Sequence, residues 1–137
     1  MKHSRITFTV IALVALIALR SVPVRAHHSF AAEFDASKPV TIKGVVTRIE
    51  WMNPHVWFYL NVTDDEGKTT RWALEMGAPH QLQQRGWLRD TMKLGDVVTV
   101  EGSLARTGAN RANARTVTTA DGRRLGAASS GDPSTQQ

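Results

Sequence analysis

A small, mainly β barrel of the OB type, five-stranded and with one short helix between strands 3 and 4, is the fold this sequence predicts. Three observations lead to it. In His55-Val-Trp-Phe-Tyr-Leu-Asn-Val62 the residues Val56, Phe58, Leu60 and Val62 form one face. His55, Trp57, Tyr59 and Asn61 form the other, an unbroken strand alternation. The run from Val40 to Trp51 changes the phase of its apolar positions at Gly44, with Val40 and Ile42 before it and Val45, Ile49 and Trp51 after it. A one-residue shift with glycine at the junction reads as a β-bulge, and a bent first strand helps a small barrel to close. The single helical signal, between Pro79 and Gly86, falls after the third strand, where an OB-fold carries its helix. An irregular meander or a β-sandwich is the alternative.

Residues 1–26 read as a secretory signal peptide, expected as an N-terminal signal helix. Lys2 and Arg5 supply the positive start, and Ile6 to Leu19 is an uncharged, mostly apolar stretch. It is shorter than the roughly 20 apolar residues of a membrane span, so no stable span is expected after cleavage. Val24-Arg25-Ala26 places small residues where a signal peptidase requires them, which puts cleavage between Ala26 and His27 and the mature protein in the periplasm or outside the cell. No Arg-Arg pair precedes the apolar stretch, which favours the general export route.

The mature chain would have 111 residues (137 less 26), enough for one domain, expected over residues 27–125. Residues 27–37 form an arm that Phe30 and Phe34 can pin to the body. After the first two strands, Asp64-Asp65-Glu66-Gly67 is a turn and Lys68 to Met76 returns as the third strand, with Trp72, Leu74 and Met76 facing in and Arg71 and Glu75 facing out. Leu82, Trp87 and Leu88 pack the helix down. Leu94-Gly95-Asp96 turns into a fourth strand over Val97 to Ser103. A polar loop, Arg106 to Asn113, precedes the fifth, around Arg115 to Thr119. Asp121-Gly122 is a tight-turn signal, after which Arg123 to Leu125 can pair briefly. Residues 126–137 lack large apolar side chains and are expected to form a disordered tail.

Composition removes several function classes. There are no cysteines, so disulfides, thiolate metal sites and cysteine nucleophiles are excluded. The formal charge of +5 owes much to Lys2, Arg5, Arg20 and Arg25 of the leader; taking these 4 from 17 leaves 13 basic against 12 acidic side chains. That balance argues against a nucleic-acid partner, which calls for a clustered basic face. The acids are scattered with no general acid–base pair, the serines lack a nucleophile elbow, and there is no phosphate-cradling glycine loop. A binding or accessory protein is expected rather than an enzyme.

The segments His27-His-Ser-Phe-Ala-Ala-Glu-Phe-Asp35, Glu50-Trp-Met-Asn-Pro-His-Val-Trp57, Gly86-Trp-Leu-Arg-Asp90 and Leu94-Gly-Asp-Val-Val-Thr-Val-Glu-Gly102 together resemble a family of uncharacterised exported bacterial proteins, a domain of unknown function. The resemblance runs from about His27 to Leu125 and rests mainly on His-His-Ser-Phe and Trp-x-Asn-Pro-His. It implies export and a small β-rich domain. It carries no established activity, so it assigns no catalytic residue.

Two constellations are candidate sites. A mature N-terminal His27 would offer a metal its amine and its ring, and a second histidine would complete a set of three nitrogens, chemistry that suits copper(II) first and also zinc or nickel. His55 is the leading second histidine, fixed in direction by Asn53-Pro54; His28 and His80 are further candidates, and Met52 and Met76 could serve copper(I). His55 could instead brace the Asn-Pro turn, and His80 could be an ordinary exposed helix residue. A copper enzyme on the same histidines is a third, lesser reading. The other constellation is the outward face of the hairpin, where His55, Trp57 and Tyr59 line up beside Arg71 and Glu75 as a surface for a small ligand or an envelope partner. The plain alternative is that the arm covers this face, with Phe30 or Phe34 on Trp57.

Overall fold

The computed structural model describes residues 29–135; the leader, His27 and His28 lie outside the described residues. Strands β1 (Phe34–Glu50), β2 (Trp57–Thr63), β3 (Thr69–Glu75), β4 (Val97–Ala105), β5 (Arg111–Thr118) and β6 (Arg124–Gly126) are joined with two short helices, α1 (Phe30–Glu33) and α2 (Pro79–Gln84). The order along the sheet is β3-β2-β1-β4-β5-β6, and a further pairing of β3 with β5 closes a ring of five strands. That last pairing is parallel, Ala73 to Arg111 and Glu75 to Asn113, while β1 runs antiparallel to both β2 and β4. This is the OB-like barrel with its helix between the third and fourth strands; β6 is a sixth strand laid on β5.

The inward face of the hairpin is the one its alternation predicts. Val56, Phe58 and Leu60 are fully buried, and Leu74 and Met76 meet them from β3, with Val98, Val100 and Val117 from the other side of the ring. Each such side chain contributes about 1.5–3 kcal/mol by leaving water. Leu82 of α2 and the following Trp87 join this core, and Trp87 Nε1 donates to Gly126 O at 2.9 Å. Leu88, expected to pack beside them, is 64% exposed.

Three expectations need correction. The phase change in β1 is not at Gly44: Ile42, Gly44 and Val46 all face the core, Val45 is exposed, and the extra residue is Thr47, between the pairs Val46–Leu60 and Arg48–Tyr59. Val45 and Val46 are both apolar, so the pattern alone could not locate the switch. Gly44 serves another purpose, since a Cβ there would come 2.7 Å from Asn61 O. The supposed polar loop 106–113 ends early, because Arg111, Ala112 and Asn113 already pair with β3 and β4.

The third correction is the tail. Ala127, Ala128, Ser129 and Asp132 are buried. Gly77 N donates to Ala127 O (2.8 Å), Ala127 N donates to Arg115 O (2.8 Å) and Arg85 Nη1 donates to Ala128 O (2.6 Å). Asn113 Nδ2 donates to Ser129 Oγ at 2.8 Å, and Arg115 reaches Asp132 at 3.4 Å. Small side chains and backbone hydrogen bonds, not large apolar groups, hold residues 127–135 to the barrel.

Candidate functional site

The arm lies on the outer face of the barrel. Phe34 is 1% exposed, and with Phe30 and Ala105 it forms a second apolar cluster to which Trp57 is added. The two phenylalanine rings stand 5.6 Å apart. The arm is also tied by polar contacts: Arg106 N donates to Glu33 O at 2.9 Å and Arg106 Nε donates to Ala31 O at 2.7 Å. Arg111 of β5 pairs with Glu33 at 2.5 Å, its guanidinium 4.8 Å from the Trp57 ring centre and 5.6 Å from that of Phe34. The outward face of the hairpin is therefore partly covered by the arm, the plain alternative, through the phenylalanines expected to pin it.

At the edge of this cover sits His55, half-buried. Hairpin pairing sets Trp57 opposite Glu75, and Met76 N donates to Val56 O, so His55 stands beside Glu75 and Met76. Its Nδ1 lies 2.9 Å from Glu75 Oε1 and 3.0 Å from Met76 O. Both partners are acceptors, so Nδ1 carries a proton, and a metal bound to this ring would take Nε2. The hydrogen bond to Glu75 is the main reason the His55 pKa is raised above its ordinary 6.5; burial opposes it, while the Glu75 charge, the Met76 carbonyl and the Glu33 charge add to it. His55 thus braces the end of the hairpin. Glu75 is on the outward side as expected, yet only 9% exposed.

The other predicted residues fall in three places. Tyr59 and Arg71 share the outer face with Trp57: the Arg71 guanidinium is 4.9 Å and that of Arg48 5.4 Å from the Tyr59 ring centre. Tyr59 Oη donates to Glu50 Oε2 at 3.3 Å, and Glu50 also contacts Arg48. A shallow cavity of about 290 Å³ opens here, lined by Glu50, Trp57, Tyr59, Ala73 and Arg111. His80 is exposed on α2, away from any grouping with other ligands, Met76 is buried in the core, and Met52 is exposed. Among the described residues no three histidine, aspartate or glutamate side chains are grouped to hold a metal. Nor, among them, is any helix long and apolar enough to cross a membrane.

Glu33, Glu50 and Arg111 were not singled out as site residues from the sequence. For Arg111 the signal was the alternation Arg111-Ala-Asn-Ala-Arg115, polar against small, which marks a strand whose inner positions are crowded. For the His55–Glu75 contact the signal was the hairpin turn: counting from the Thr63–Thr69 pair sets residue 75 opposite residue 57, and so diagonally across from residue 55 on the same face.

No curated protein matches the chain at a significant level. A family model does, over residues 14–114, from the region preceding the described residues to the middle of β5. The chain belongs to that family, DUF6152, a family of unknown function.

Proposed function

We propose that this chain is an exported binding or accessory protein that holds a divalent transition metal, copper(II) first, with His55 Nε2 as one ligand and the amine and ring of a mature N-terminal His27 as the others. The observation that carries this reading is the way His55 is held, with Nδ1–H against the Glu75 carboxylate and the Met76 carbonyl. Metal-binding histidines are oriented this way: the second ring nitrogen donates to a carboxylate or a carbonyl, which fixes the tautomer and makes the ligating nitrogen more basic. The docked arm supports it. Phe30 and Phe34 pack with Trp57, two residues from His55, so the arm that starts at Ser29 lies on the same face of the hairpin. Cleavage after Ala26 would start the chain two residues before Ser29, a span of about 7 Å at most.

The test is expression with the native leader, N-terminal sequencing of the exported product, and copper(II) titration of it. A mature start at His27 is expected. His55→Ala and His27→Ala should each weaken binding by more than about 100-fold, as loss of a ligand exceeds the roughly 10–100-fold effect of losing its support. A different start would remove the amine chelate, and unchanged affinity in both variants would rule out the site.

A further inference from the structure

We infer that residues 127–135 form a latch on the first turn of the N-terminal arm, and that this latch sets how firmly a metal is retained; the inference rests on the copper reading. Different elements secure the arm at different points. Its far end is held by the barrel: Phe34 is buried with Ala105 and Trp57, Glu33 pairs with Arg111, and Arg106 Nε donates to Ala31 O. Phe30, three residues after His27 in the sequence, is held in addition by the C-terminal segment. A Cβ at position 131 would come 2.6 Å from Phe30 Cβ and 3.2 Å from Phe30 N, so Gly131 lies against the start of the arm. Gly131 is not among the glycines with positive φ, so what forbids a side chain there is the contact with Phe30.

The segment is built to open separately from the barrel. Its buried side chains are Ala127, Ala128, Ser129 and Asp132, so lifting it exposes no large apolar group of its own. Directed polar contacts hold it: Ala127 N donates to Arg115 O, Asn113 Nδ2 to Ser129 Oγ, Arg85 Nη1 to Ala128 O and Arg115 Nε to Asp132 Oδ1. These contacts are incompletely matched. Asn113 Oδ1 and Asp132 Oδ2 are buried with no hydrogen-bond partner among the described residues, which offsets part of what the other bonds contribute. Few buried apolar contacts place an element at the low-stability end of a fold, where local opening comes first. When the segment lifts, Phe30 loses one wall while the contacts of Ala31, Glu33 and Phe34 with the barrel remain. The first turn then loosens alone, and the His27 ligands are less often in place for a metal on His55.

The test uses the full mature chain and two variants. Gly131→Ala adds one methyl group against Phe30, and Arg115→Gln loosens the segment at Asp132 without adding any atom there. Hydrogen exchange of metal-free protein reads the segment at the Asp132 amide and the first turn at the Ala32 amide, both of which donate to Ser129 or to its counterpart Ser29. Competitive titration reads copper(II) affinity. Both variants are expected to speed exchange at Asp132 and Ala32, to keep the protection of β1 and β4, and to bind copper(II) about tenfold more weakly, as when the competent arrangement falls to about a tenth of the population. Exchange at Ala32 unchanged in both variants overturns the latch, and so does unchanged copper(II) affinity where that exchange has risen. Loss of protection in β1 and β4 in one variant leaves the other to decide; loss in both would show the segment to be part of the barrel and not a latch. A wild type that binds no copper(II) sinks the metal reading instead, and the coupling of the two chain ends is then decided by the exchange at Ala32.

Discussion

Glu75 decides how His55 presents itself. Its carboxylate draws the ring proton to Nδ1 and holds the His55 pKa above 6.5. A histidine whose pKa is raised by folding contributes stability that is fully present below the unfolded value and is lost as pH rises through the folded value. In metal-free protein, the difference in melting temperature between wild type and Glu75→Gln should therefore be widest below pH 6.5 and narrow above it. A gap that stays constant or widens with pH would contradict this contact. The same substitution should weaken copper(II) binding by about 10–100-fold while leaving the ligands in place, as measured by competitive titration. Gly102 shows the opposite kind of constraint, steric and not electrostatic. It faces a bulge in β5, and a Cβ there would lie 2.0 Å from Asn113 O. Gly102→Ala should cost about 3 kcal/mol in urea unfolding by forcing the two strands apart; a loss under about 0.5 kcal/mol, the range of ordinary surface changes, would mean that the bulge absorbs the methyl group.

Among the elements, the N-terminal arm and the C-terminal segment act as one assembly. Phe30 and Phe34 anchor the arm on Trp57 and Ala105, and Gly131 packs so closely on Phe30 that a Cβ at 131 would come 2.6 Å from the phenylalanine Cβ. Truncation after Gly126 should leave the barrel folded but increase hydrogen exchange at the amides of Ala32 and Phe34, whose acceptors are Ser29 O and Phe30 O. Unchanged protection there would show that the arm needs no support from residues 127–135. Phe34→Ala should cost about 3–5 kcal/mol, measured by denaturant unfolding, since its ring is almost wholly buried. The arm was legible because two phenylalanines four residues apart in a polar stretch have few reasons to stay in water. The C-terminal segment was not. Its buried residues are alanine, serine and aspartate, whose burial depends on backbone hydrogen bonds and on Arg85, Asn113 and Arg115 contributed from elsewhere in the chain.

Across the whole molecule, the ring of five strands was readable because alternation in β2 and the position of Pro79 and Gly86 are properties of consecutive residues. The parallel β3–β5 closure was not readable locally, since it joins residues 73–75 to residues 111–113 through the return of the whole chain. The candidate site depends on that closure: Arg111 reaches Trp57 and Glu33 because β5 lies beside β3. It depends equally on the hairpin register that sets His55 against Glu75, and on the arm that packs against the neighbouring Trp57. The most direct measurement is pulsed electron spin resonance of the copper(II)-loaded mature protein, which counts imidazole ligands through their remote nitrogens. Two imidazoles are expected in the wild type and one in His55→Ala, with Glu75→Gln retaining two. A spectrum identical in the wild type and His55→Ala would contradict a copper site at His55.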